Sequence, residues 1–265
     1  MNSLEIKAKA EALLKLHDRR RSLVLPNAWD VSSARIFADT GFAAIATTSG
    51  GICRTFGLPD SEELGRDQML SVVRRIARAV DVPVTADLMA GFGATPAEVA
   101  DTASAALECG VVGMNIEDSP GHDAPLRELE EQCQRIAAAR EAAERGGVAF
   151  VINARVDTWV RQVSSGQERI EIAIARARAY LKAGASSIYP IMVSDSAEIA
   201  ALTRAIDGPV NVMMRPGVPS IAELAKIGVA RVSFGSGMMI ATLALTKRIA
   251  QEIQSKGSCD LLNAR

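Results

Sequence analysis

Eight short apolar runs alternate along this chain with helical segments, and this alternation restricts the fold more than any other feature. The first run begins at Leu23, and the others lie at residues 43–48, 83–87, 111–117, 149–156, 186–191, 209–214 and 231–234. A repeat of strand and helix predicts parallel strands, because each helix returns the chain to the same end of the sheet. A closed (β/α)8 barrel of the TIM type leaves no strand as an edge, so we expect this α/β fold rather than an open doubly wound sheet.

The segments between these runs carry the start and stop signals of helices. A capping residue is followed three positions later by glutamate at Asp60, Thr95, Ser165, Asp195 and Ser220. Glycines suited to a left-handed helix end stand at Gly41, Gly110, Gly146, Gly184 and Gly228. No Gly-x-Gly-x-x-Gly follows the first run, so the signature of a doubly wound dinucleotide-binding sheet is missing.

The length of the chain favours one domain. Its 265 residues are close to the roughly 250 of a typical single barrel, and no linker divides residues 1–265. An amphipathic pattern over residues 3–18 predicts a helix that caps one end of the barrel, and His17 in this helix is expected at the surface. The last helix, from Gly237 to about Ser255, is more apolar than one barrel flank needs, so we expect it to pack on a neighbouring subunit.

Charge and cysteine content exclude several classes of function. Thirty basic and 31 acidic residues give a formal net charge of -1, which argues against a nucleic-acid partner. No apolar run approaches the roughly 20 residues of a membrane span, and the N-terminus lacks the apolar core of a signal peptide. The four cysteines lie far apart without a Cys-x-x-Cys pair, which disfavours a zinc site or a disulfide framework. A reducing, cytoplasmic setting is therefore expected.

Polar side chains stand where the predicted strands end. These positions hold Asn27, Trp29, Thr47, Thr48, Ser49, Gly50, Gly51, Asp87, Glu117, Asp118, Arg155, Asp157, Tyr189, Asn211, Arg215, Ser233 and Gly235. In a parallel barrel such residues face one mouth, where barrel enzymes carry their chemistry. Acids on the third and fourth strands suit Mg²⁺, which prefers one or two carboxylates with water and substrate oxygens. Arg155 can pair with a carboxylate or phosphonate, and N–H groups of the Gly50-Gly51 turn can hold an oxyanion.

Five segments, in this order, resemble the isocitrate lyase/phosphoenolpyruvate mutase superfamily. They are PNAWD (residues 26–30), TSGG (48–51), ADLMAGFG (86–93), NIED (115–118) and NARVD (153–157). The resemblance implies a (β/α)8 barrel whose last helix is exchanged between subunits of a homodimer or homotetramer. It also implies Mg²⁺ chemistry, with Mn²⁺ as an alternative cation, on 2-oxo acids and related compounds through an enolate-like intermediate.

The resemblance assigns roles to individual residues at the predicted metal site. Asp87 matches the direct metal ligand, Glu117 matches the acid that holds metal-bound water, and Asp60 matches an acid near the outer shell of the metal. Asp60 is equally interpreted as a helix cap with Glu63.

A small anionic substrate is expected beside this metal site. By the resemblance, Arg155 matches the substrate-binding arginine, and the Ser49 turn matches the one that binds the carboxylate end of the substrate. The candidate substrate contacts are Trp29, Ser49, Gly50, Gly51, Asp87, Arg155, Asn211 and Ser233, although Trp29 also suits a wall of the mouth. The candidate catalytic residues are Arg155, Glu117 and His122, the last because a histidine in this loop can titrate near neutral pH and donate a proton.

Two departures from the superfamily pattern bear on the reaction. The superfamily usually has a second acid two residues after the first, and Met89 stands at that position. The lyases carry a Lys-Lys/Arg-Cys-Gly-His loop after the fourth strand, whereas residues 119–125 read SPGHDAP, with neither cysteine nor lysine. We therefore expect no appreciable isocitrate or methylisocitrate lyase activity.

Three functions remain open at the level of sequence. The first is a Mg²⁺-dependent lyase or decarboxylase that cleaves a C–C bond beside a 2-oxo or 2-hydroxy acid. The second is P–C bond chemistry, as in a phosphonomutase or phosphonopyruvate hydrolase. The third is a barrel that binds 2-oxo acids without turnover, which Met89 and the changed loop keep open.

Overall fold

The apolar runs form a closed barrel of parallel strands in the computed structural model, which describes residues 3–121 and 124–263. The strands are β1 (Leu23–Leu25), β2 (Asn27–Ala28), β3 (Ile45–Thr47), β4 (Val84–Asp87), β5 (Gly113–Ile116), β6 (Val151–Val156), β7 (Ser187–Pro190), β8 (Asn211–Met213) and β9 (Arg231–Ser233). One ladder runs from β2 to β7, and a second joins β1, β9 and β8. A bridge between Ile188 and Val210 connects the two ladders. The predicted (β/α)8 barrel is therefore confirmed.

The first barrel strand is interrupted at Pro26, which has no backbone N–H to give to a ladder. Its first half, β1, pairs with β9, and its second half, β2, pairs with β3. The carbonyl of Pro26 still accepts the N–H of Ala46 at 2.9 Å, so the chain crosses from one ladder to the other without losing contact with its neighbour.

Helices follow the strands as the capping signals predict. They are α1 (Ser3–Leu16), α2 (Val31–Asp39), α3 (Ser49–Thr55), α4 (Arg66–Arg78), α5 (Pro96–Cys109), α6 (Leu129–Arg145), α7 (Gly166–Lys182), α8 (Ser196–Ala205), α9 (Ile221–Lys226), α10 (Gly237–Lys256) and α11 (Asp260–Asn263). Reciprocal capping boxes start α5 at Thr95 and α9 at Ser220, and Asp195 caps α8. The expected side-chain cap at Ser165 is wrong, because the hydroxyl of Ser164 pairs with Glu168 instead.

Helix α1 closes the amino-terminal end of the barrel, which we call the floor. Its buried Ala10 and Leu13 pack with Leu23 and Leu25 of β1. The expectation that His17 lies at the surface is wrong, since this side chain is only 7% exposed. The amphipathic pattern predicts the helix correctly, but His17 follows its end and turns inward beneath the strands.

The last long helix, α10, carries large apolar side chains that this chain leaves uncovered. Ile240, Leu243, Leu245 and Ile253 are each between 42% and 52% exposed, and Met239 is buried.

Within the part of the chain that the structure describes, no helix has the length and apolar character needed to cross a membrane.

Candidate active site

Asp87 ends β4 at the barrel mouth, and neighbouring strands fix its carboxylate. Its Oδ2 accepts hydrogen bonds from the backbone N–H and the hydroxyl of Ser49, at 3.0 and 2.9 Å. Its Oδ1 accepts from the side-chain amide of Asn115 at 3.2 Å. The N–H of Asp87 donates to the hydroxyl of Thr47 at 2.9 Å. The residue predicted to be the metal ligand is thus held by contacts from β3, β5 and the start of α3.

A second carboxylate, that of Asp60, reaches the same point. Its Oδ1 lies 2.9 Å from the hydroxyl oxygen of Ser49, the same distance as Oδ2 of Asp87. One hydroxyl proton serves only one of two carboxylates at a time, so the two acids share this donor. The helix-cap interpretation of Asp60 is wrong, because Ser61 supplies the cap of the short 3-10 helix that follows.

The turn at the start of α3 needs glycine for this close approach. A Cβ atom on Gly50 would lie 2.7 Å from Oδ2 of Asp60, which is shorter than real contacts allow. The N–H of Ser49 is used by Asp87, and the N–H of Gly51 is used by the capping hydroxyl of Thr48. An anion bound at this turn would therefore meet the N–H of Gly50.

Arg155 stands between two acids on the other side of the mouth. Its Nη1 donates to Glu117, and its Nε and Nη2 donate to the two oxygens of Asp157 at 2.5 and 3.0 Å. The side chains of Arg155 and Glu117 are only 16% and 14% exposed. Burial raises the pKa of Glu117 well above its usual range; Arg155 opposes this shift, and the nearby carboxylates of Asp157, Asp87 and Asp60 add to it. Glu117 and Asp157 together hold the pKa of Arg155 above its usual range, although burial works against its charge.

Asp118 supports the site from outside the mouth. Its side chain is fully buried and accepts hydrogen bonds from the N–H of Asp157, from Nε of Arg176 and from the hydroxyl of Tyr180, at 2.8 to 2.9 Å. Asp118 therefore holds the backbone that carries Asp157 rather than facing a ligand.

A cavity of about 690 Å³ opens between these groups. Its lining includes Asp60, Glu62, Met89, Ala90, Glu117, Arg155, Trp159, Arg161, Ile191 and Met192. One side of the cavity is acidic, and the side formed by Ile191, Met192 and the ring of Trp159 is apolar. The indole N–H of Trp159 already donates to Glu198 at 3.0 Å, so this ring offers only its apolar surface.

Two methionines of this lining adopt left-handed backbone conformations. Met89 has φ of 52° and Met192 has φ of 71°, in a region that is costly for residues other than glycine and that concentrates at functional sites. The carbonyl of Met89 accepts the N–H of Glu117 at 2.9 Å, so this turn also positions an acid of the mouth.

The structure brings some of the predicted site residues together and separates others. Asp60, Glu117 and Arg155 line the cavity, and Asp87 joins them through Ser49. Trp29, Asn211 and Ser233 are not among the described lining residues. Trp29 packs beside Gly51, Asn211 donates to the hydroxyl of Ser233 at 3.1 Å inside the barrel, and Tyr189 is buried. His122 lies outside the described residues.

Sequence reasoning missed other residues of this region. Asn115 stands two positions before Glu117, so the alternation of side chains along a strand places both on the inner face. This spacing of two residues is visible in the sequence. Trp159 and Arg161 follow Arg155 in the loop after β6, and extending the strand-end rule into that loop would have found them.

The oxygen ligands present fit a small, hard cation. Among the described residues, no group of three or more histidine, cysteine, aspartate or glutamate side chains is arranged to hold a metal. Mg²⁺ does not need such a cage, because it commonly binds through one or two carboxylates and keeps several waters. Asp87, with Asp60 close by on the same hydroxyl, provides carboxylate oxygens of this kind.

Comparison with known proteins identifies the family of this barrel. Residues 13–254 match the family model described as phosphoenolpyruvate phosphomutase. The chain belongs to this family. A protein from Burkholderia cenocepacia described as a lyase/mutase superimposes on this phosphomutase-family chain with a TM-score of 0.92 and 39% identity, covering 98% of this chain and 93% of that one. The resemblance and the barrel fold predicted from the sequence are both confirmed.

Enzymes that act on small acids occur among the relatives of this phosphomutase-family chain. It is 31% identical to 2-methylisocitrate lyase of Escherichia coli over 64% of its own length and 57% of that enzyme. It is 30% identical to oxaloacetate decarboxylase 2 of Pseudomonas putida over 77% of its own length and 66% of that enzyme.

Proposed function

We propose that this protein is a cytoplasmic, Mg²⁺-dependent lyase or decarboxylase that cleaves a C–C bond next to the 2-oxo or 2-hydroxy group of a small acid. The observation that carries the proposal is the combination of clustered carboxylates with Arg155 around one cavity at the barrel mouth. The relatedness to a 2-methylisocitrate lyase and an oxaloacetate decarboxylase supports the same class of reaction. All four cysteines are free thiols, which agrees with a reducing compartment.

Asp87 is the principal protein ligand for Mg²⁺ in this proposal. Glu117 acts mainly through a bound water, and Asp60 lies in the outer shell. A bound Mg²⁺ supplies positive charge that stabilises the negative charge developing beside the cleaved bond. Mn²⁺ would serve the same purpose, since it prefers similar oxygen ligands.

Arg155 orients the substrate in this proposal. A guanidinium has five N–H donors, and three of those of Arg155 are used by Glu117 and Asp157. The two that remain belong to Nη1 and Nη2. In this proposal they donate to a carboxylate of the substrate. In the same proposal, the N–H of Gly50 donates to a second anionic group of the substrate.

Cleavage of a P–C bond is the alternative function. It is favoured by the family itself, which takes its name from a phosphomutase, and by the remaining N–H groups of Arg155, since a guanidinium binds a phosphonate as well as a carboxylate. A barrel that binds 2-oxo acids without turnover is the third candidate, because Met89 occupies the position of the second acid of the superfamily.

A substrate panel separates these three functions. The protein with Mg²⁺ is incubated with oxaloacetate, malate derivatives, 2-methylisocitrate and phosphonopyruvate, and pyruvate, glyoxylate and phosphate are followed by mass spectrometry, with Asp87→Asn as the inactive control. We expect products from oxaloacetate or a malate derivative. Because the loop from Ser119 has no thiol, we expect 2-methylisocitrate to remain intact. Turnover of phosphonopyruvate alone would favour P–C chemistry, and ligand binding without any product would favour the third candidate.

The assembly forms part of the same proposal. The uncovered apolar side chains of α10 support its packing on a neighbouring subunit, in a homodimer or homotetramer. We also propose that the whole chain acts as one domain, because the described strands close into one barrel. Light scattering at micromolar concentration tests the assembly, and a monodisperse monomer would contradict it.

A further inference from the structure

A buried arginine lies inside the barrel below the candidate active site. Arg231 begins β9 and is 1% exposed. Among the described residues, no carboxylate contacts its guanidinium. Its Nη1 lies 3.5 Å from Nε2 of His17, its Nη2 donates to Oδ1 of Asn115 at 3.4 Å, and its Nε has no partner. Burial lowers the pKa of this guanidinium to about 10, because holding its charge in the barrel interior costs free energy.

Two donors, one of them from Arg231, fix which way the amide of Asn115 faces. Oδ1 of Asn115 accepts from two donors, Nη2 of Arg231 at 3.4 Å and Nδ2 of Asn153 at 2.8 Å. Asn153 is itself fixed, because its Oδ1 accepts the hydroxyl of Ser187 at 2.6 Å. With its oxygen directed at two donors, Asn115 must present its NH₂ group to Oδ1 of Asp87.

The orientation of this amide decides which oxygen of Asp87 remains available. Oδ2 of Asp87 lies against both the N–H and the hydroxyl of Ser49, whereas the only described donor to Oδ1 is Asn115. Since each carboxylate oxygen has two lone pairs, Oδ1 keeps one for another ligand. If the amide turned over, two oxygen atoms would face each other and the carboxylate would rotate away.

We propose that Arg231 is a positioning residue that acts through Asn115 to hold the Asp87 carboxylate with one Oδ1 lone pair open to a divalent cation. This inference rests on the proposed function, in which Asp87 is the metal ligand. Arg231 touches neither cation nor substrate, and its effect passes through one amide.

The first test measures metal affinity rather than turnover. Mn²⁺ is titrated into the protein and the free ion is followed by electron paramagnetic resonance. Arg231→Met and Asn115→Ala are each expected to weaken Mn²⁺ binding about 10- to 100-fold, as losses of groups that orient a ligand commonly do. Arg140→Met is the control, because Arg140 is a half-buried arginine whose donors, among the described residues, meet Gly184 and Ser186, away from the mouth. Binding of Mn²⁺ by folded Arg231→Met with unchanged affinity would overturn the inference.

A double variant separates action through Asn115 from a simple effect of buried charge. If Arg231 acts only through the amide, Arg231→Met combined with Asn115→Ala will bind Mn²⁺ no more weakly than Asn115→Ala alone. Additive losses would show that the charge of Arg231 acts directly and would overturn the inference. If Arg231→Met does not fold, Arg231→Lys replaces it in both tests. A lysine ammonium cannot reproduce the planar guanidinium that reaches His17 and Asn115 together, so a loss of Mn²⁺ affinity is again expected. Unchanged Mn²⁺ affinity in Arg231→Lys would again overturn the inference.

The variant Asp87→Asn distinguishes a failure of the proposed metal site from a failure of the proposed role of Arg231. If Asp87→Asn binds Mn²⁺ normally, the metal site of the proposed function is wrong. If Asp87→Asn loses the metal while the Arg231 and Asn115 variants keep it, the proposed function stands and only the role of Arg231 is wrong.

Discussion

The mouth and the floor of the barrel hold buried charge in opposite ways. At the mouth, Arg155 is paired with two carboxylates, and two further acids approach each other across one hydroxyl. At the floor, Arg231 and His17 lie buried together, and no carboxylate contacts either among the described residues. The mouth therefore brings together acids that a cation can meet, whereas the floor keeps a positive charge among neutral groups.

This difference indicates what each end contributes. Carboxylates that lie close together repel each other, which costs free energy unless a cation or strong donors meet them. We therefore expect a bound cation to stabilise the arrangement of acids at the mouth. The floor binds no ligand in our proposals, and its charge serves to orient the groups above it. The following predictions test this division, from the largest expected effect to the smallest.

Removing the central charge of the mouth should have the largest effect. Asp87→Asn keeps the size of the side chain but removes the negative charge, so we expect Mg²⁺-dependent binding of oxalate, a mimic of pyruvate enolate, to fall by more than about a hundredfold. Isothermal titration calorimetry measures this change, with Asp101→Asn on the exposed face of α5 as the control. Undiminished Mg²⁺ dependence in Asp87→Asn would place the metal elsewhere.

The floor should respond to pH through His17. Burial, followed by the nearby charge of Arg231, lowers the pKa of His17 to about 4 from its ordinary 6.5. Between these pH values His17 is protonated in the unfolded chain but neutral in the folded chain. The free energy of unfolding therefore falls as the pH falls from 6.5 to 4. The loss amounts to about 3 kcal/mol from this residue.

Urea unfolding at pH 7 and pH 4.5 checks this sign and size. His17→Gln should lose less stability than the wild type between the two pH values, and contributions of other titrating groups cancel in the comparison. Equal losses in the two proteins would show that His17 does not titrate as its burial requires.

The second acid of the mouth should matter less than Asp87. Glu117→Gln keeps a polar group that can hold water but loses its charge, so we expect Mg²⁺–oxalate affinity to fall about 10- to 100-fold. The same calorimetric titration measures it, with the exposed Glu130→Gln as the control. A loss as complete as that of Asp87→Asn would make Glu117 a direct ligand and reverse the assigned order.

The apolar side of the cavity should produce the smallest effect. Ile191 and Met192 present hydrocarbon there, so an acid with one additional methyl group near the cleaved bond should have a kcat/KM about fourfold higher, from the ~0.8 kcal/mol of a buried methylene. Ile191→Thr, which replaces the ethyl group on Cβ by a hydroxyl, should remove this preference. Steady-state kinetics on a methylated and an unmethylated substrate measures both. A preference for the unmethylated acid would mean that the methyl group does not reach this wall.

The sequence contains enough information for the barrel and for much of its mouth. Apolar runs, caps and glycines predict the strands and helices because these signals are local. Strand ends such as Asp87 and Arg155 then follow from the rule that parallel strands share one functional edge. Asp60 has two interpretations in the sequence, an acid near the metal or a helix cap with Glu63, and only the three-dimensional contact with Ser49 distinguishes them.

The floor could not be predicted from local signals. Arg231 and His17 are separated by 214 positions in the chain, and they meet only when the barrel closes. Asn115 and Asn153 are polar residues inside strands, and nothing in their own segments shows that their amides contact each other. Which group each amide contacts depends on the register between strands, and the sequence pattern does not specify that register.

The break at Pro26 sets an order of events during synthesis of the chain. Leu23 pairs with Arg231, so β1 has no strand to join until the final strand has emerged from the ribosome. Before that moment, the barrel is an open sheet with an unpaired edge at β2 and another at its far side, and such edges invite pairing with other chains. Bringing together segments so distant in the chain is slow. A nascent chain that stalls before β9 should therefore be exposed to aggregation even when most of its barrel has already formed.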